Sequence, residues 1–162
     1  MRRRFGALAV IAALAVLAGI GAAAVKHTFV AHLTGAANGV VTKATGEATF
    51  DLNKAGTALN YELTVKNLEN AMMAHIHLAP KGKAGSVVCW LYPRKPPPVT
   101  KKGKFSGVLA KGAITAKDLA GGPLKDKPLS ALVQAIEKGD AYVNVHTEQH
   151  PDGELRGQIA KP

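Results

Sequence analysis

The sequence predicts an all-β domain, an antiparallel β-sandwich or barrel carrying one short helix, on three observations. Apolar and polar residues alternate over many short runs, the pattern of strands with one buried face. Asn, Lys, Gly and Pro gather between those runs, where chain reversals belong. One stretch, "KPLSALVQAIEKGD", has helical spacing: Leu129, Leu132, Val133 and Ile136 recur at i, i+3, i+4 and i+7, and Gly139 stands where a left-handed cap ends the helix.

Taken in chain order, "MRRRFGALAVIAALAVLAGIGAAAV" comes first: three arginines, an uninterrupted apolar run, then small residues. It reads as a signal peptide over residues 1–24, cut after Ala24, with Ala22 and Ala24 supplying the small side chains at the break. A retained membrane anchor is the alternative, because Phe5 to Val25 approaches the roughly 20 residues that span a bilayer. Residues 25–162 form the domain. "HTFVAHL", "GEATFDLN", "ALNYELTVKNL", "AMMAHIHLA", "SVVCWLY" and "KFSGVLAKGAIT" read as successive strands, with "FDLNKAGTALNYELTV" a hairpin. "RKPPPVTKKGK" is too rich in proline and lysine for regular structure and reads as a surface loop. After the helix come "AYVNVHT", the turn "EQHPDG" and "ELRGQIA".

Composition sets the class. A chain of 162 residues, 47% hydrophobic, suits one domain behind a leader, and an exported domain belongs outside the cell or in the periplasm or cell envelope. Removing residues 1–24 takes Arg2, Arg3 and Arg4 from the 21 basic residues, leaving 18 against 11 acidic, a formal charge of +7. That balance suits a solvated surface that keeps an exported protein soluble, the favoured reading, or attraction to an anionic cell-surface polymer; the partner expected is such a polymer or an unidentified protein, and membrane contact requires that the leader be retained. Nucleic acid is a poor fit, since aromatics are scarce and the lysines follow no recognition-helix pattern. Cys89 is the single cysteine, so no internal disulfide forms, and its apolar neighbours in "SVVCWLY", Trp90 among them, predict a buried free thiol, with an intermolecular disulfide or a soft metal ligand as the alternatives.

Alternation assigns the histidines. If residues 72–78 are extended, Met72, Ala74, Ile76 and Leu78 share the core face, and Met73, His75 and His77 the other. In "AYVNVHT", Val143 and Val145 point inward while Tyr142, Asn144 and His146 point outward. Should the two strands be neighbours, His75, His77 and His146 converge on an outward face, a donor set suited to copper or zinc, with His150 in the following turn a fourth candidate. The competing reading makes the same imidazoles part of the sheet's own hydrogen bonding.

The motifs together resemble the CHRD domain, the module named for its occurrence in chordin. The resemblance rests on "FVAHLTG", "ATGEATFDL", "AHIH" followed by a loop and "VV", "GAITAKDL", and the closing pair "GDAYVNVHT" and "PDGELRGQI", about Phe29 to Ile159. It implies an extracytoplasmic all-β domain, immunoglobulin-like or superoxide-dismutase-like, without a general enzymatic activity, found alone in bacterial proteins and repeated in chordin, which binds bone morphogenetic proteins. The matching positions are His75 and His77, then Asn144, His146 and Thr147, then Gly153, Glu154, Arg156, Gly157 and Gln158. The chain departs from the pattern at Ala79 and Pro80, where a glycine usually follows the H-I-H element, and at "AANGVV" after the opening strand.

Read physically, Pro151, Asp152 and Gly153 suit a tight turn. Glu154, Arg156 and Gln158 then share one strand face, where cross-strand pairing is the expected role of Glu154 or Arg156. No serine has a nucleophile context, and Cys89 lies in an apolar run. A copper/zinc redox protein resembling superoxide dismutase is the enzyme alternative, but that comparison requires an internal disulfide, which one cysteine cannot form. The expectation is therefore a non-enzymatic exported binding or structural domain.

Overall fold

A single long strand organises the molecule. The computed structural model describes residues 27–162; the predicted leader, its cleavage and its anchoring lie outside the described residues. The strands are β1 (Thr28–Thr34), β2 (Thr45–Leu52), β3 (Leu59–Leu78), β4 (Ser86–Tyr92), β5 (Lys101–Ile114), β6 (Ala141–Thr147) and β7 (Leu155–Gln158), with helix α1 (Leu129–Glu137) between β5 and β6. The predicted hairpin is present, β2 pairing antiparallel with β3 from Thr45↔Lys66 to Leu52↔Leu59.

The 20 residues of β3 correct one expectation, that of two strands broken at Glu69 and Asn70. Asn67 (φ 56) and Asn70 (φ 50) take left-handed backbone, which asparagine tolerates better than most residues. The pairing register shifts there instead of ending, as at β-bulges, and the strand continues. β5 stabilises the irregularity: the Asn67 amide donates to Ser106 Oγ at 2.9 Å, and the Gly103 amide donates to Asn70 Oδ1 at 2.7 Å.

β5 runs along one edge of β3 from Leu59 to Ala71, and β4 takes over that edge from Ala74 to Leu78. The other edge pairs first with β2 and then with β6. β1 joins β2 to β7, and β7 joins β6, so β3, β2, β1, β7 and β6 close an antiparallel barrel to which β4 and β5 add. Closure leaves those strands no free edge within the ring.

The apolar half of each alternation fills the barrel. Phe29, Phe50, Leu59, Leu63, Leu68, Ile76 and Leu91 are fully buried. α1 lays Leu129, Leu132, Val133 and Ile136 against this core, and Gly139 (φ 78) ends it as the spacing predicted. Cys89 is a buried free thiol opposite Ile76 on the core face, its pKa pushed up to about 12 by burial. Among the described residues no helix is long and apolar enough to cross a membrane.

Candidate metal centre

β3 and β6 are neighbours in the register that the histidine argument needs: Met73↔His146, His75↔Asn144 and His77↔Tyr142. Alternation holds from residue 74 onward, since Ala74, Ile76, Val143 and Val145 join the core and the histidines occupy the opposite face; the expectation that Met72 faces the core is corrected, the register shift between Ala71 and Met73 leaving Ala71 as the core residue there. That face is not outward in the sense of solvent, however. His75, His77 and His146 are 3%, 9% and 5% exposed, and every residue of β6 is buried. The expectation of an exposed histidine face is corrected: the 79–85 loop, Trp90 and the turn after β6 supply contacts to these rings.

The three side chains offer ligand nitrogens that all lie within 4.8 Å of one another. Their protonation follows from their partners. His77 Nδ1 lies 3.0 Å from the Gly85 carbonyl and His146 Nδ1 lies 2.8 Å from the Pro151 carbonyl. A carbonyl only accepts, so both Nδ1 atoms carry the proton, and both neutral rings present Nε2 as a lone pair. Backbone carbonyls that orient imidazoles in this way are a common outer support of metal ligands. His75 Nδ1 is 3.3 Å from His146 Nε2, and in the metal-free ring it donates there. His75 Nε2 and His77 Nε2 are buried without a hydrogen-bond partner.

A separation of 3.3 Å is also the spacing of two nitrogens each about 2.0–2.1 Å from one tetrahedral ion, which would have to displace the His75 proton. Burial first, then His146 and His77, lowers the His75 pKa to about 3. Burial also lowers His77 despite its bond to Gly85, with His146 and Arg156 acting in the same sense. His146 is lowered by burial against the opposing pull of the Pro151 carbonyl and Asp152. Neutral imidazoles are the form that ligates.

Aromatic rings enclose the group. Trp90 meets His75 edge to face at 4.2 Å between centroids. Tyr142 stacks on His77 at 4.9 Å, and the Arg156 guanidinium lies 3.5 Å over the Tyr142 ring. Alternation places Tyr142 beside Asn144 and His146 without singling it out, and Trp90 lies in the sequence only within the apolar run around Cys89.

The other motif residues hold this arrangement in place. Asn144 Oδ1 accepts from Asn38 Nδ2 at 2.8 Å, which turns its amide nitrogen toward His146 Nε2 at 3.3 Å and the Asp152 carbonyl at 3.2 Å. Gly153 (φ 122) lies so close that a Cβ there would come within 2.4 Å of that amide nitrogen. Glu154 is buried, its two oxygens accepting from Thr42 Oγ1 at 2.7 Å and Thr147 Oγ1 at 2.8 Å. The predicted cross-strand role thus falls to hydroxyls for Glu154 and to the Tyr142 ring for Arg156. Gln158 Nε2 donates to the Ala79 carbonyl at 3.0 Å, and Arg156 to that of Lys83, so the loop that departs from the family pattern is still tied to β7. Gly157 lets β7 approach β1, where a Cβ would meet the His32 carbonyl oxygen at 2.2 Å.

His150 does not join the cluster. Its backbone closes the turn, the amide donating to Thr147 and the carbonyl accepting from Gly153, while the residue lines a polar cleft with Lys43, Glu69 and Lys104. Proximity in sequence to His146 therefore misled, because the turn carries the ring away from the sheet face.

No curated protein and no solved structure matches the chain. The family model of the CHRD domain matches residues 29–159, which takes in the whole barrel core, the three clustered histidines and the closing motif. The chain belongs to the CHRD domain family.

Proposed function

We propose that this chain is an exported CHRD-type domain that binds one transition metal ion, copper or zinc, through His75, His77 and His146 in a non-catalytic role. One observation carries the reading: three imidazoles converge in a buried site with ligand nitrogens within 4.8 Å, and two of their nitrogens have no hydrogen-bond partner. An unpartnered buried acceptor costs about 1–3 kcal/mol, and a cation bound by His77 Nε2 removes that cost there. The fixed tautomers at His77 and His146 spare part of the ordering that a metal site otherwise requires.

The test is a calorimetric titration of the purified protein with copper and with zinc, wild type against His75→Ala/His77→Ala/His146→Ala, with circular dichroism as the folding check. Stoichiometric binding by the wild type alone, both proteins being folded, supports the reading. Equal or absent binding assigns the imidazoles to sheet architecture. Export is tested separately by N-terminal sequencing of protein recovered outside the cytoplasm, where a start at Val25 is expected and a start at Met1 overturns removal of the leader.

A further inference from the structure

We infer that the histidine cluster selects copper in its monovalent state, Cu(I), over zinc and Cu(II). The inference rests on the metal-binding reading above and goes beyond it to the charge of the ion. Its basis is the absence of any compensating negative charge in the cluster. Among the described residues the ligand set is three neutral imidazoles, with neither carboxylate nor thiolate. The Cys89 thiol is part of the core on the opposite face of the sheet. The Glu154 carboxylate is held by Thr42 and Thr147, and Asp152, whose charge acts on His146, does so from an exposed, solvent-screened position outside the ligand set.

Positive and donor groups face the site instead. The Arg156 cation lies over Tyr142, which stacks directly on His77. Asn144 cannot turn its oxygen to a metal while Asn38 holds that oxygen, so it presents an NH₂ group beside His146 Nε2. The cost of burying an ion rises with the square of its charge, so a dication here is penalised about fourfold more than a monocation. Coordination number separates only Cu(II), which prefers a tetragonal set, from a cluster of three nitrogens within 4.8 Å of one another; zinc accepts three histidines with water as its fourth ligand, so the preference over zinc rests on charge.

The experiment is a competition titration of the purified protein under anaerobic conditions, with bicinchoninate against Cu(I) and a chelator of matched strength against zinc. Cu(II) is titrated in air, and Arg156→Gln and Arg156→Lys are run beside the wild type. One Cu(I) per chain, bound more tightly than zinc or Cu(II), is expected. Arg156→Gln should narrow the gap by improving zinc binding on the order of tenfold more than Cu(I) binding, since a dication feels the removed charge twice over. Arg156→Lys, which keeps the charge, should retain the wild-type preference. Zinc or Cu(II) binding as tight as Cu(I) overturns the selectivity while leaving the metal-binding reading intact. Equal effects of Arg156→Gln on all ions overturn the electrostatic cause, and failure of every ion to bind wild type overturns both readings together.

Discussion

Acid should destabilise the metal-free domain well before its carboxylates titrate, and His75 sets the minimum size of the effect. In the unfolded chain His75 takes its proton near pH 6.5, whereas in the fold burial and the neighbouring imidazoles hold its pKa at about 3. A depressed histidine pKa favours the neutral form in the native state, so its stabilising effect is complete above pH 6.5 and is lost as pH falls toward 3. Each pH unit well inside that window costs about 1.4 kcal/mol per proton, and since the unfolded histidine is already half protonated at pH 6.5, acidification from pH 6.5 to 4.5 removes about 2 kcal/mol through His75 alone. His77 and His146 are lowered in the same direction and steepen the loss. Against a typical domain stability of about 5–15 kcal/mol this is a large fraction. Urea unfolding at pH 7.0, 6.5, 5.5 and 4.5 in the presence of a chelator measures it, with His75→Phe as the control. The variant keeps a buried ring and should flatten the pH slope by about one proton. A stability that stays level from pH 6.5 to 4.5, or a His75→Phe slope equal to that of wild type, refutes the reasoning.

Two substitutions probe the support around the cluster. Gly153→Ala places a methyl group within 2.4 Å of the Asn144 amide at φ 122 and should cost at least about 2 kcal/mol. Gly56→Ala, at φ 69 with open space around it, should cost only about 1–2 kcal/mol, and equal costs in denaturant titration would remove the steric argument at Gly153. Glu154→Gln puts an amide donor where a carboxylate accepts from both Thr42 and Thr147, with Thr42 Oγ1 already accepting from the Ala44 amide. A loss of about 1–3 kcal/mol is expected, and a variant with the thermal midpoint of wild type would show that these bonds contribute nothing net.

Much of the fold was legible because period-two alternation reports directly on a barrel with one apolar lining. The β2–β3 hairpin and the paired closing strands follow from it, and the helix at Leu129–Glu137 from the i, i+3, i+4, i+7 spacing of its apolar residues. The join within β3 was not legible, since Asn70 is a turn residue in most contexts and only its left-handed bulge, held by Gly103, keeps the strand continuous. The composition of "RKPPPVTKKGK" likewise assigns Lys101 and Lys102 to the preceding loop, whereas β5 begins at Lys101. An edge strand carries such charges readily, because its outer backbone edge faces water.

The candidate centre was half legible for a related reason. Alternation gives the face of a side chain but not what covers that face, and a polar residue is ordinarily assigned to solvent. Here the cover is built from parts that leave no mark in a sequence: the carbonyls of Gly85 and Pro151, and a loop fixed by Arg156 and Gln158. Asn38 reaches Asn144 across 106 positions. The apolar core lies on the opposite face of the sheet, so it does not account for burying three imidazoles, two of which have a nitrogen without a partner. A purely structural role would be served as well by aromatic or aliphatic side chains at 75 and 77, at lower desolvation cost. What those substitutes lack is a convergent set of lone pairs, and that property ties the cost of the buried face to the binding of a cation.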